Sequence, residues 1–181
     1  MHARVQCMDK DVASQPNKLI DSSVVYQSKW VTVRLDHYLS NGGDKLEYPL
    51  VARSDSAIIL VRQDNKFILG RPQLRPGVNE HTLDFPGGRV DKGDPNAVAS
   101  ECVRREFKIN PDVVLPPLET LTEQPLIVDS SFSNQRVYGF LLDLPDDFSV
   151  EGTRYGADEL LAKLQCLQCR AMLLEYLQIS K

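Results

Sequence analysis

Phe85-Pro-Gly-Gly-Arg-Val-Asp-Lys-Gly-Asp-Pro-Asn-Ala-Val-Ala-Ser-Glu-Cys-Val-Arg-Arg-Glu-Phe-Lys-Ile109 runs from a glycine-rich turn straight into an amphipathic helix. Asp94-Pro95 marks the helix start, because an Asp cap accepts from the first free amides and Pro tolerates the first helical position. Ala99, Val103 and Phe107 recur four apart and predict one buried stripe on a helix over 95–109. Pro86-Gly87-Gly88 allows a sharp turn and a close backbone approach that side chains would block. A turn of this kind feeding a helix can hold phosphate groups on its amides. Taken alone, the same pattern is an ordinary turn and helix.

Outward from this stretch the chain alternates strand and turn signals. Residues 24–39 read as one or two strands, Asn41-Gly-Gly-Asp44 as a hairpin turn, and 46–53 as the returning strand. Residues 57–61 and 66–70 predict a second hairpin around Gln63-Asp64-Asn65, and 119–128 and 136–144 further strands. Leu160, Leu164, Leu167, Ala171 and Leu174 predict one amphipathic helix over 157–177. Residues 1–19 read as a loose polar arm and 20–181 as a single domain.

The net charge of -4, without a basic run, argues against a nucleic-acid partner. Apolar runs such as Ala57–Val61 are too short to span a bilayer, and no apolar leader core opens the sequence, so the expectation is a cytoplasmic protein without membrane partners. Cys166 and Cys169 make a C-x2-C, but no second such pair exists and His2, His37 and His81 are scattered. Both are expected as small apolar residues on the last helix, and Cys102 as a core residue.

Residues 85–109 resemble the Nudix box, G-x5-E-x7-R-E-U-x-E-E-x-G-U with U a bulky aliphatic residue. Val103 and Ile109 fall on the two U positions, and the loop is one residue short before the helix. Gln73-Leu-Arg-Pro76, Leu83-Asp-Phe-Pro-Gly-Gly88 and Ser130-Ser-Phe-Ser-Asn-Gln-Arg-Val137 are similar to the corresponding segments of ADP-ribose pyrophosphatases, in the same order. The resemblance implies a Nudix α/β/α sandwich with a mixed β-sheet and N-terminal antiparallel strands. It implies hydrolysis of a nucleoside diphosphate sugar with Mg²⁺ or Mn²⁺, and a homodimer formed through residues 24–53. Glu106 and the Gly87 backbone would hold the metal, with Glu106 also catalytic. Gln135 stands where the family has its catalytic loop acid. Arg75, Asp84, Gly87, Gly88 and Arg105 would contact the substrate.

The departures bear on the chemistry. Clustered carboxylates hold the metal in this family, and here the three helix positions carry Cys102, Arg105 and Glu106. Glu101 lies about 140° around the helix from Glu106, so it is expected to pair with Arg105 on the surface instead. The resulting expectation is a pseudoenzyme: a Nudix-fold protein that binds a nucleoside diphosphate or ADP-sugar with weak or no hydrolysis. The alternatives are an active hydrolase with a rearranged acid set (Asp91, Asp94 and Glu106) and a purely structural dimer.

Overall fold

The computed structural model describes residues 17–180, which fall into two compact units meeting at Ala52/Arg53. Most of the expected arm, residues 1–16, lies outside the described residues, and Lys18 and Leu19 already belong to a strand.

The first unit is a three-stranded antiparallel sheet, ordered β1 (Lys18–Gln27), β2 (Thr32–Leu39), β3 (Lys45–Ala52). The turn at 41–44 joins β2 to β3, with Gly43 at φ 89°, a conformation that a side chain disfavours. Asp36 is buried and ionic, and it is compensated within the unit by Ser22 Oγ at 2.6 Å and Arg34 Nη2 at 3.1 Å. β1 is exposed along its whole length.

The second unit is built on β4 (Asp55–Gln63), whose run Ala57–Val61 is buried on both faces, as a central strand requires. The chain returns through Asp64 and Asn65, both at positive φ, which is the two-residue turn that matches strand twist. β5 (Lys66–Leu69) pairs antiparallel with β4. A short ribbon follows, β6 (Gln73–Arg75) with β7 (Glu80–Thr82). β8 (Gly87–Val90) then joins β4, and α1 (Pro95–Phe107) leaves from it. The expected strand over 119–128 is two fragments, β9 (Glu119–Thr120) and β10 (Leu126–Ile127), both antiparallel to β11 (Arg136–Asp143). Pro125, which lacks an amide donor, stands immediately before the second fragment. β11 lies parallel to β4, and β12 (Thr153–Tyr155) closes the edge beside β5.

Helices cover both faces of this mixed sheet, giving an α/β/α sandwich. Ile59, Val61, Ile68 and Phe140 pack with Ala99, Val103 and Phe107 of α1. Leu60, Phe67, Leu69 and Leu141 pack on the other face with Leu160, Met172 and Leu173. The single helix expected over 157–177 is two, α2 (Ala157–Lys163) and α3 (Leu167–Ile179). At the break, Arg170 Nη1 from the first turn of α3 donates to the carbonyls of Leu161 and Leu164, satisfying acceptors that the end of α2 leaves open.

Candidate functional site

The loop at 85–88 and helix α1 both contribute to the lining of the site. Asp94 caps α1 by accepting from the Asn96 amide at 3.1 Å, with Pro95 in the first turn. Ala99, Val103 and Phe107 are buried as expected, and Cys102 is buried with them. Lys108 ends the helix at φ 54°, in the left-handed region that glycine takes most readily. Gly88 is dictated by a close approach. A Cβ there would overlap the Cys102 sulfur, while Val98 Cγ1 at 3.7 Å and Arg105 Nη2 at 3.9 Å would be ordinary neighbours.

Beside this contact lies a polar cavity of about 330 Å³, lined by Arg71, Gln73, Arg75, Asp84, Gly87, Arg105 and Glu106 among others. It brings together most of the residues expected at the site. Arg105 Nη2 donates to the Gly87 carbonyl at 3.4 Å and approaches Cys102 Sγ at 3.5 Å. The expected Glu101–Arg105 pair is not among the ion pairs of the described residues, because that guanidinium turns into the cavity instead. Burial pushes the Cys102 thiol up, against the pull of the Arg105 charge, which favours a packed thiol over a thiolate. Glu106 Oε1 accepts from Gln73 Nε2 at 2.9 Å, and Gly70 leaves it room: a Cβ there would sit 2.6 Å from that oxygen. Arg75 forms an ion pair with Asp84 at 2.6 Å, and Thr82 Oγ1 donates to the same carboxylate oxygen at 2.9 Å.

Mg²⁺ takes several oxygen ligands in near-octahedral geometry. The helix face supplies one carboxylate, one thiol and one guanidinium, and the Gly87 carbonyl expected as a ligand already receives that guanidinium. These residues do not fit a magnesium centre. Nor do the alternative acids gather around Glu106. The Asp91 carboxylate accepts from Ser54 and Arg89, and Asp94 is the helix cap. Gln135 is buried, with its amide donating to Ser133 Oγ at 3.1 Å, and it is not among the residues that line the two cavities of the site.

A second cavity of about 670 Å³ adjoins the first across Arg75, Asp84, Phe85 and Gly87, and is lined largely by apolar surface. Cys166 and Cys169 stand in its wall. Cys169 is buried as expected, whereas Cys166 is the cap residue of α3 and only partly covered. The hydrogen bond from the Cys169 thiol draws the Cys166 thiol down to about 6, while holding that proton pushes Cys169 up. Sequence reasoning missed this grouping and also Arg71 and Thr82. The C-x2-C spacing was the one available signal, and it does not reveal that Asp84, some eighty residues earlier, meets it.

No family model matches the sequence, and no curated protein matches it. Among solved structures, a crystal structure of an ADP compounds hydrolase, a Nudix enzyme, matches with a TM-score of 0.73 and 17% identity. The match covers 93% of this chain and 96% of that one. The chain therefore has a Nudix-like α/β/α fold with a mixed sheet.

Proposed function

We propose that the cleft binds a nucleoside diphosphate or ADP-sugar through its arginines and hydrolyses it weakly or not at all. The observation that carries this reading is the convergence of Arg71, Arg75 and Arg105 on one polar cavity, where Arg105 already occupies the Gly87 carbonyl. Guanidinium groups take phosphate oxygens in paired hydrogen bonds and need no metal to do so. Glu106, held by Gln73, is the lone carboxylate that α1 contributes to this cavity, and one acid is a poor set for a hard cation. The protein then acts as a ligand-responsive binding module in the cytoplasm. The homodimer belongs to the same reading: Val24, Val25 and Tyr26 on β1 are each more than half exposed, and an exposed apolar edge strand invites pairing.

Calorimetric titration with ADP-ribose in EDTA tests the reading. Heat of binding is expected without metal, and Arg105→Ala should weaken affinity about ten- to a hundredfold, the range of one charge-assisted hydrogen bond. No heat at high ligand concentration overturns it. Metal-dependent turnover abolished by Glu106→Gln would instead establish the active hydrolase. Restoring acids in Cys102→Glu with Arg105→Glu discriminates further, since metal-dependent hydrolysis is expected in the double variant only.

A further inference from the structure

We propose that Asp84, Cys166 and Cys169 form a binding site for a thiophilic divalent cation of the Zn²⁺ class, open on one side to the larger cavity. The three donor atoms lie within 4.8 Å of one another. Ligands held about 2.0–2.3 Å from a tetrahedral zinc are themselves roughly 3.5 Å apart, so a small closure of side chains suffices. The backbone already makes the approach. The break between α2 and α3 leaves Cys166 as the cap of α3 and places Cys169 one turn further on, with both side chains in the cavity wall.

The carboxylate is oriented for the role. Arg75 and Thr82 both hold Oδ2 of Asp84, and Oδ1 faces Cys169 Sγ at 4.0 Å. Outer-sphere hydrogen bonds of this kind fix the direction of a metal-binding carboxylate. The charge also fits. Two thiolates and one carboxylate against the Arg75 guanidinium leave two negative charges, which a divalent cation matches. Two sulfur donors favour zinc over magnesium. With three protein ligands, one coordination position remains toward the 670 Å³ cavity, where water or an oxygen of a small ligand would sit.

The experiment uses the full chain, reduced with a phosphine, freed of metal by chelator dialysis, and titrated with Co²⁺ and then Zn²⁺. One equivalent of Co²⁺ is expected, with tetrahedral d–d bands and a thiolate-to-cobalt charge-transfer band that Zn²⁺ abolishes. Cys166→Ser and Cys169→Ser should each remove about half of the charge-transfer intensity, one of two thiolates. Thr82→Val should keep the band and weaken binding about ten- to a hundredfold, as loss of an outer-sphere contact does. Cys102→Ala should change neither. If Cys169→Ser fails to fold, protection of Cys166 from iodoacetamide by Zn²⁺ in the unsubstituted chain supplies the same answer. Absence of the band with the thiols counted as reduced overturns the site, as does a band that survives both serine substitutions. A Cys166–Cys169 disulfide that resists the phosphine and leaves no Co²⁺ binding also overturns it.

Discussion

Gly88→Ala tests the contact that sets α1 against β8. Gly88 has an ordinary negative φ, so Ala fits its backbone, and the exchange alone would stabilise by about 0.4–1 kcal/mol through the unfolded chain. Opposing this, the new methyl overlaps the buried Cys102 sulfur, and overfilling a packed core costs typically about 1–3 kcal/mol. The net expectation is a loss of roughly 1–2 kcal/mol, or about 2–8 °C in Tm for a chain of this size. The other neighbours would stay at 3.7 Å or beyond, so the clash is with one atom. Removing that atom should therefore reverse the sign. In a Cys102→Ala background, Gly88→Ala is expected to be neutral or stabilising, a coupling of about 1–3 kcal/mol between two residues in contact. Urea unfolding of the four proteins in the cycle measures it. Equal costs of Gly88→Ala in both backgrounds would refute the argument, because they would mean that the sulfur is not what the methyl meets.

Three further outcomes follow from the same structure. Lys108→Gly should raise stability by about 1 kcal/mol, since a side chain in the left-handed region costs about that much, and a thermal melt reads it. Arg170→Ala should cost about 1–3 kcal/mol by leaving the Leu161 and Leu164 carbonyls without their donor, with chemical denaturation as the measure. Hydrogen bonding to Arg62 holds the Asp143 carboxyl below its ordinary range, a contribution present above the unfolded value and lost as pH falls through the folded one. Asp143→Asn should thus lower Tm modestly at neutral pH, by the equivalent of less than about 1 kcal/mol for a half-exposed pair. That difference from the unsubstituted chain should close toward strongly acid pH.

The layers of this fold are visible in the sequence where local chemistry and tertiary need agree. The Ala57–Val61 run reads as one arm of a hairpin because Asp64-Asn65 supplies the turn that reverses it, and the structure buries that run on both faces. Asp94-Pro95 fixes the start of α1 for reasons contained in its first turn. The break after Lys163 is different. Leu164-Gln-Cys166 holds neither Gly nor Pro, and the apolar spacing runs through it without a change of phase. What accompanies it is the Arg170 guanidinium of the following helix on the Leu161 and Leu164 carbonyls, a side-chain contact that the apolar spacing does not record. The same limit hid the grouping of Asp84 with Cys166 and Cys169, which joins the start of α3 to the segment between β7 and β8.

Cys102 and Arg105 on α1 act together. Several acids on one helix turn repel one another unless a cation lies among them, and that repulsion is strong where water is excluded. A thiol at 102 and a guanidinium at 105 remove the requirement: the thiol stays neutral in its buried place, and the guanidinium carries the positive charge to the Gly87 carbonyl. Arg105 also brings its charge within reach of the Cys102 sulfur, and the absence of a side chain at Gly88 is what lets β8 approach that sulfur. Cys102, Arg105 and Gly88 are thus one mutually dependent unit. Placing an acid at only one of the first two positions would leave either a buried carboxylate tied to Arg105 or an extra acid beside Glu106 with the Gly87 carbonyl unpaired. With Arg71, Arg75 and Arg105 set against Asp84 and Glu106, the lining of this cavity carries a formal positive balance, which suits an anionic group better than a cation.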